Sequence, residues 1–373
     1  MDRKKLYKII IITVVVILVI VGLCIGYYFL FGNKKSYSAI ENIMEEAAKE
    51  YYDDHAEQLP TEAGSTVIIS VDTLVSGEYM DSIATLSKDE TTSCSGEVRV
   101  MNNSGKYQYV AKIDCGDTYQ TKNLKDYILE NSKTVYDGSG IYEMDDPSAP
   151  LNSDGTMAKK WVFRGENPMN YMEFAESTWR IVSFNEDSIE LIFTSAYYNN
   201  EFDNRFNTET NANDGINNYA VSRMREYLNQ NYNSIVDKDY QDYVVPHTVC
   251  SGIRPTYNST IDGASECATK ITGELISTIP LYEYTRASLD ADCTALKNTC
   301  ANYNYLAALG TYWTITTSAI NSYTGFIVER GRVETRELSY PYGVYPIIYI
   351  TTNISNVSGT GSSDDPFVIN ESA

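Results

Sequence analysis

Residues 9–31 constrain this chain more than any other stretch. From Ile9 to Phe31 the sequence holds Ile, Val, Leu, Phe and Tyr, with Thr13, Gly22, Cys24 and Gly26 and no charged side chain. As a helix rising ~1.5 Å per residue it is on the order of 35 Å long, enough to cross a hydrocarbon core of about 30 Å. Arg3, Lys4, Lys5 and Lys8 precede it, whereas only Lys34 and Lys35 follow it closely. Cationic flanks stay cytoplasmic. The expectation is a signal-anchor. Residues 1–8 form a cytoplasmic tail, 9–32 a transmembrane helix, and the domains beyond lie outside a cell membrane crossed once. A cleaved signal peptide has a shorter apolar region, of about 7–15 residues, and Ser36-Tyr37-Ser38 makes a poor cleavage site. A lipoprotein signal would use Cys24, but Leu23 is bulky for the preceding position and residues 25–31 stay apolar.

That placement decides how the cysteines read. Besides Cys24 there are six, Cys94, Cys115, Cys250, Cys267, Cys293 and Cys300. An even number outside the membrane fits oxidised pairs, and the six fall as three sequence neighbours. The expected disulfides are Cys94–Cys115, Cys250–Cys267 and Cys293–Cys300, each worth about 2–3 kcal/mol on chain-entropy grounds. No Cys-x-x-Cys spacing occurs, and His55 and His247 are the only histidines, so no metal site is expected. The net charge of −21 argues against nucleic acid or an anionic lipid surface as partner.

Residues 36–125 read as a small α+β domain. Ile40, Ile43, Met44, Ala47 and Tyr51 recur at helical spacing, with Glu41, Glu45, Glu46 and Lys49 on the other face. A strand over 66–70 and a helical turn over 71–76, stopped by Gly77, follow. Strands over 97–101 and 107–113 flank Asn103-Ser104-Gly105, a hairpin signal. With Ser104-Gly105 as the turn, Met101 faces Gln108 and the same register sets Cys94 opposite Cys115, at the about 4.5–5.5 Å Cβ spacing of facing residues. A membrane helix running into an amphipathic helix and a small disulfide-bearing sheet resembles bacterial type IV pilins and pseudopilins over residues 1–120. The pilin signature, Gly before Phe-Thr-Leu-Ile-Glu, is absent. The resemblance therefore implies a pilin-like stalk and not a polymerising pilin.

Residues 126–157, rich in Gly, Ser, Asp, Asn and Pro towards their end, read as a linker, and 158–370 as a second domain. Hairpins are expected at Asn185-Glu186-Asp187 and Arg330-Gly331. Val221, Met224, Leu228 and Tyr232 mark a helix with Arg223 and Arg225 outward, and Ser277 or Thr278 is placed to cap a helix over 281–286. An apolar strand is expected over 344–350, broken by Pro346. The segments Trp161-Val162-Phe163-Arg164-Gly165-Glu166-Asn167-Pro168, Thr178-Trp179-Arg180-Ile181-Val182, Tyr312-Trp313-Thr314-Ile315-Thr316 and Asp365-Pro366-Phe367-Val368-Ile369 resemble a group of uncharacterised surface proteins of Firmicutes-like bacteria. That group is similar to the C-type-lectin and formylglycine-generating-enzyme fold. Where it has Gly-Val-Arg-Pro, this chain has Tyr345 in place of the arginine. The expected fold class is therefore α+β: a single N-terminal transmembrane helix, a small pilin-like α+β domain, then a C-type-lectin-like α+β domain.

Chemistry is harder to find. Glu-Pro-Asn, Gln-Pro-Asp and Trp-Asn-Asp, the calcium and sugar motifs of such lectins, are absent. Asp203, Glu209 and Asp214 lack EF-hand spacing. Walker, Rossmann and Gly-x-Ser-x-Gly motifs are absent too, and His247 reads as strand-edge packing. No catalytic residue and no cofactor are expected. The expected function is a membrane-anchored surface protein with a lectin-like binding or adhesion domain. Its partner would be a surface polymer, a glycan or an envelope protein. The alternatives are a structural or assembly subunit of a pilus or secretion apparatus, and a cell-envelope enzyme. Expected binding residues are Tyr197, Tyr198, Tyr303, Tyr305, Tyr323, Tyr340 and Tyr342, on loops over 197–217, 303–305, 321–323 and 339–342. Tyrosine rings stack on sugars or proline-rich segments, and neighbouring amides hydrogen-bond.

Overall fold

Ser36 starts the first helix by accepting the Ala39 amide at 3.3 Å, which satisfies one of the otherwise unpaired donors of a helix start. A computed structural model describes residues 34–87, 93–103, 105–255, 260–290, 304–354 and 357–369. They form mixed α+β structure that becomes sheet-rich towards the C-terminus. Two compact units divide it. The first holds described residues up to 121 except 62–64 and 103–105; the second holds those and residues from 122 on.

In the first unit, α1 (Tyr37–Asp54) buries Ile40, Met44, Ala47, Ala48 and Tyr52. Ile43 and Tyr51 sit at the edge of that face, half-buried. After α1 come β1 (Thr66–Ser70), α2 (Val71–Ser76), α3 (Ile83–Leu86), β2 (Ser95–Asn103) and β3 (Lys106–Asp114). The sheet order is β1-β2-β3, with Val98, Val100, Ala111 and Ile113 turned to the helix in one core. The expected outward face of α1 needs one change. Glu45 accepts the Ala111 amide at 3.2 Å, and Glu41 accepts the Tyr119 hydroxyl at 2.8 Å. Both carboxylates dock the helix on the sheet, and burial raises the Glu45 pKa. Cys94–Cys115 is present with Cα atoms 4.2 Å apart, closing the open end of the β2–β3 hairpin.

The second unit, from residue 122 on, takes in the whole of the expected linker. Residues 126–157 contribute most of α4 (Leu124–Asn131), held by a capping box between Asn123 and Asp126, and all of β4 (Gly140–Asp145). β4 pairs along its whole length with β5 (Lys159–Arg164), so this stretch is part of the domain. Next come β6 (Tyr171–Phe174), β7 (Ser177–Phe184), β8 (Ser188–Phe193), β9 (Tyr198–Glu201), α5 (Arg223–Gln230), α6 (Tyr232–Ile235), β10 (His247–Cys250), β11 (Ile253–Arg254), β12 (Lys270–Glu274) and α7 (Leu281–Arg286). The chain ends with β13 (Thr311–Ser318), β14 (Thr324–Glu329), β15 (Arg332–Glu337), β16 (Pro341–Val344), β17 (Ile347–Thr351), β18 (Val357–Ser358) and β19 (Phe367–Ile369).

The larger sheet runs β17-β8-β7-β6-β19-β18, with β5 joining at β7. The second runs β15-β14-β13-β16-β9, with β11 beside β13. Both expected hairpins form, and Pro346 splits the expected strand into β16 and β17 because it lacks an amide for the ladder. Trp179 and Trp313 are fully buried and Trp161 partly so. The cap of α7 differs from expectation: Pro280 is the N-cap, and the Leu281 amide donates to Thr316 Oγ1 at 2.8 Å. Arg225 is not simply outward, since its guanidinium holds both Glu274 oxygens at 2.9 and 2.6 Å. Cys250–Cys267 is present; Cys293 and Cys300 lie outside the described residues.

The expected fold class, headed by a transmembrane helix, and the single-pass membrane localisation are both corrected. Among the described residues no helix is long and apolar enough to cross a membrane. The longest, α1, carries Glu41, Glu45, Glu46, Lys49 and Glu50 along its length. The apolar stretch over 9–31 lies outside the described residues.

Candidate functional site

Three of the expected loops come together in the second unit, and side-chain amides hold them. β9 and β16 pair antiparallel, Tyr342 opposite Asn200 and Val344 opposite Tyr198. This brings 197–217 to 339–342. The Asp203 amide donates to Leu338 O at 3.2 Å. Asn207, buried, donates through its side chain to Gly215 O at 2.6 Å and to Ser322 Oγ at 3.0 Å. Asn217 donates to Asn321 O at 2.6 Å and to Ser318 O at 3.1 Å. Gly215 is required at its place: φ is +82°, and a Cβ there would lie 2.2 Å from the Asp203 carbonyl oxygen. Asn207 and Asn217 thus brace the loops from within.

The braced loops turn apolar side chains outward. Phe206 is 53% exposed, Ile320 60%, Tyr340 53% and Ile216 36%. Phe206 precedes the brace at Asn207. Ile216 precedes the one at Asn217, and Ile320 lies between that residue's two acceptors, Ser318 and Asn321. Thr208, Glu209 and Asn211 are exposed around them. Large apolar residues exposed on loops that are tied to one another make these loops the candidate interaction site.

The expected tyrosines divide accordingly. Tyr340 is exposed. Tyr323 and Tyr342 are half-buried, and Tyr342 meets the Trp313 ring edge-on at 5.4 Å. Tyr197 stands edge-on to Tyr198, whose ring lies 4.0 Å from that of Tyr227. Burial pushes the Tyr198 phenol well up. Tyr305 is corrected outright. It is 1% exposed, lies under the Arg180 guanidinium at 4.6 Å, and belongs to the core. Tyr303 lies outside the described residues. Phe206, Ile216 and Ile320 lie outside the expected set, which held tyrosines alone. The signal that would have found them is an isolated large apolar residue inside an Asn- and Asp-rich run.

A second cluster is interior. Ser183, Glu190 and Tyr349 stand in register across β7, β8 and β17 on one face of the larger sheet. Lys160 joins from β5, where Val162 pairs with Ser183. α7 covers this row. Lys160 Nζ lies 2.8 Å from Glu283 Oε1 and 3.7 Å from Glu190 Oε2. The Tyr282 hydroxyl donates to Glu283 Oε1 at 2.9 Å, and the Ser183 hydroxyl donates to Glu190. Burial, with the Glu283 charge beside it, pushes the Glu190 carboxyl well up. Burial also opposes ionisation of Glu283, but Lys160 outweighs it and holds that carboxyl below the usual range.

His247 abuts the cluster. Its Nε2 is 3.0 Å from Ser277 Oγ, its ring stacks on Tyr349 at 4.2 Å, and burial lowers its pKa to about 3. The Ser277–His247 contact has the outline of a hydrolytic dyad. The cavity beside it has a volume of about 10 Å³. That is room for about one water, so no substrate reaches this serine in the folded state. A shallow open groove of about 470 Å³ along α1 is lined by Asn42, Ile43, Glu46 and Glu50 among others. Among the described residues no group of three His, Cys, Asp or Glu is placed to hold a metal ion. No family model, curated protein or solved structure matches the chain.

Proposed function

We propose that the chain is a binding protein without catalytic chemistry, and that the braced loops of the second unit take a protein partner. The observation that carries this reading is the exposure of Phe206, Ile216, Ile320 and Tyr340 on loops held by the side-chain amides of buried Asn207 and half-buried Asn217. A rigid frame cuts the ordering cost of association. A set made of two isoleucines and two aromatics favours a protein surface, because the stacking that sugars use needs ring faces. The acidic balance of the chain disfavours nucleic acid as the occupant.

The double variant Phe206→Ser/Ile320→Ser tests this. Purified wild type and variant are compared on a surface-protein fraction of the parent cells and on an immobilised glycan array. Loss of at least tenfold in retention on the protein fraction, with unchanged far- and near-UV circular dichroism, is expected. Retention of a glycan that the variant loses would transfer the site to carbohydrate recognition. Equal retention of wild type and variant on both surfaces would remove the assignment.

A further inference from the structure

Lys160, Glu190 and Glu283 make an arrangement that ion pairing alone does not need. One cation faces two carboxyl groups, all three side chains are at most 4% exposed, and the partners come from three separate elements. Two carboxylates at one dry site cannot both ionise at ordinary cost, so one keeps a proton. Glu190 is that group, pushed up by burial and by the Glu283 charge. The result is an amine, a carboxyl within contact distance of it, and a protonated second carboxyl beside both.

We propose that Lys160 and Glu283 condense within the folded second unit to form an isopeptide bond that staples β5 to α7, with Glu190 carrying the proton. The reaction is balanced by the three groups themselves. Proton transfer inside the ion pair gives the neutral Lys160 amine. Its lone pair adds to Glu283 Cδ, forming the C–N bond, as Glu190 passes its proton to the carboxyl oxygen. The amine proton returns to Glu190, the C–O bond breaks, and one water leaves. The net change is ammonium plus carboxylate to amide plus water, with no oxidant, reductant or other reactant.

Several features of the fold serve this step. Nζ is already held 2.8 Å from Oε1 of the carboxyl whose carbon it attacks, and reactants held in place need no bimolecular encounter. The Tyr282 hydroxyl donates to the same oxygen at 2.9 Å, where negative charge develops on addition. The cavity of about 10 Å³ is lined by both Glu190 and Glu283, and it has room for the single water released. Burial keeps bulk water from reversing the step. The charged pair is the favoured ground state here, since its neighbours hold Lys160 protonated. The condensation is therefore slow, but it happens once per molecule and removes two buried charges for good.

Intact-mass measurement of the reduced, full-length chain tests the proposal. The expected mass is that of the sequence less one water, and a protease digest is expected to yield the Lys160 and Glu283 peptides joined. Lys160→Arg keeps the charge but gives no such linkage. Glu190→Gln, checked for folding by circular dichroism, is expected to cross-link at least tenfold more slowly. A folded wild-type protein at full mass, with separate Lys160 and Glu283 peptides, would overturn the bond. Unchanged cross-linking in Glu190→Gln would overturn the role given to Glu190.

Discussion

The interior of the second unit and its braced loops break the same rule in opposite directions. Inside, Lys160, Glu283, Arg254 and Glu266 are buried charges; outside, Phe206, Ile216, Ile320 and Tyr340 are exposed apolar groups. Large apolar residues usually go in, and charged ones almost never do unless paired. The two regions differ in what supports the exception. Each interior charge has an opposite partner, so removing one strands another. Each exposed apolar group stands on a frame that does not need it, so removing it costs the frame little. Energetic coupling within the fold therefore separates the two, and it is measurable.

The largest effect is expected at Arg254. Its guanidinium meets Glu266 at 2.6 Å with both side chains at most 1% exposed, and it also donates to Thr260 O. Removing one partner of such a pair costs about 3–5 kcal/mol because the other charge stays buried, whereas replacing both by apolar groups is often neutral. Arg254→Met is thus expected to lower the unfolding free energy in urea by about 3–5 kcal/mol, and Arg254→Met/Glu266→Leu to recover most of that. A single variant as stable as wild type would place this pair with the dispensable groups and erase the contrast.

A pH titration sharpens the same contrast. Burial lowers the His247 pKa from 6.5 to about 3. Below pH 6.5 the unfolded chain binds a proton there that the folded chain does not, so this residue's contribution is intact above pH 6.5 and shrinks as pH falls towards 3. At pH 4 the loss is on the order of 3 kcal/mol. Glu190 acts with the opposite sign. Its raised pKa makes the folded state the better proton binder above the ordinary carboxyl value of 4.5, so its contribution is lost as pH rises. His247→Phe keeps a ring against Tyr349 and removes only the first of these slopes. The difference between wild-type and variant stability is expected to change by about 3 kcal/mol between pH 7 and pH 4. A flat difference would mean that His247 titrates in the folded state as it does in the open chain.

Much of the architecture was legible in the sequence because its signals are local. The Cys94–Cys115 bridge followed from hairpin register, and the strands about Arg330-Gly331 from their turn residues. What was not legible depends on residues distant in sequence. Asp126 and the β4 residues sit in a stretch that reads as linker, and pairing with β5 makes β4 part of the sheet. Tyr305 and Tyr340 look alike in sequence, yet one lies under Arg180 and the other faces solvent. Lys160, Glu190 and Glu283 have no spacing that announces them, since a sheet and a helix bring them together. The loop residues Asn207 and Asn217 looked like solvent-exposed polarity, and their amides turned out to be the frame.

The smallest expected effect separates the two tyrosines that flank the proposed face. Tyr342 lies half-buried against the buried Trp313 ring, edge-on at 5.4 Å, and such aromatic pairs are worth about 0.5–1.5 kcal/mol beyond the area they bury. Tyr342→Ala is therefore expected to destabilise the unit by about 1 kcal/mol or more. Tyr340 contributes its backbone carbonyl to Trp313 Nε1 at 3.3 Å, a contact that survives truncation of the side chain, and its ring is 53% exposed. Tyr340→Ala is expected to change stability by no more than about 0.5 kcal/mol, as surface substitutions do, and to weaken retention by the protein partner. Urea unfolding of the two variants side by side reads the difference directly. If Tyr340→Ala proves as costly as Tyr342→Ala, its ring belongs to the frame, and the binding face contracts to Phe206, Ile216 and Ile320.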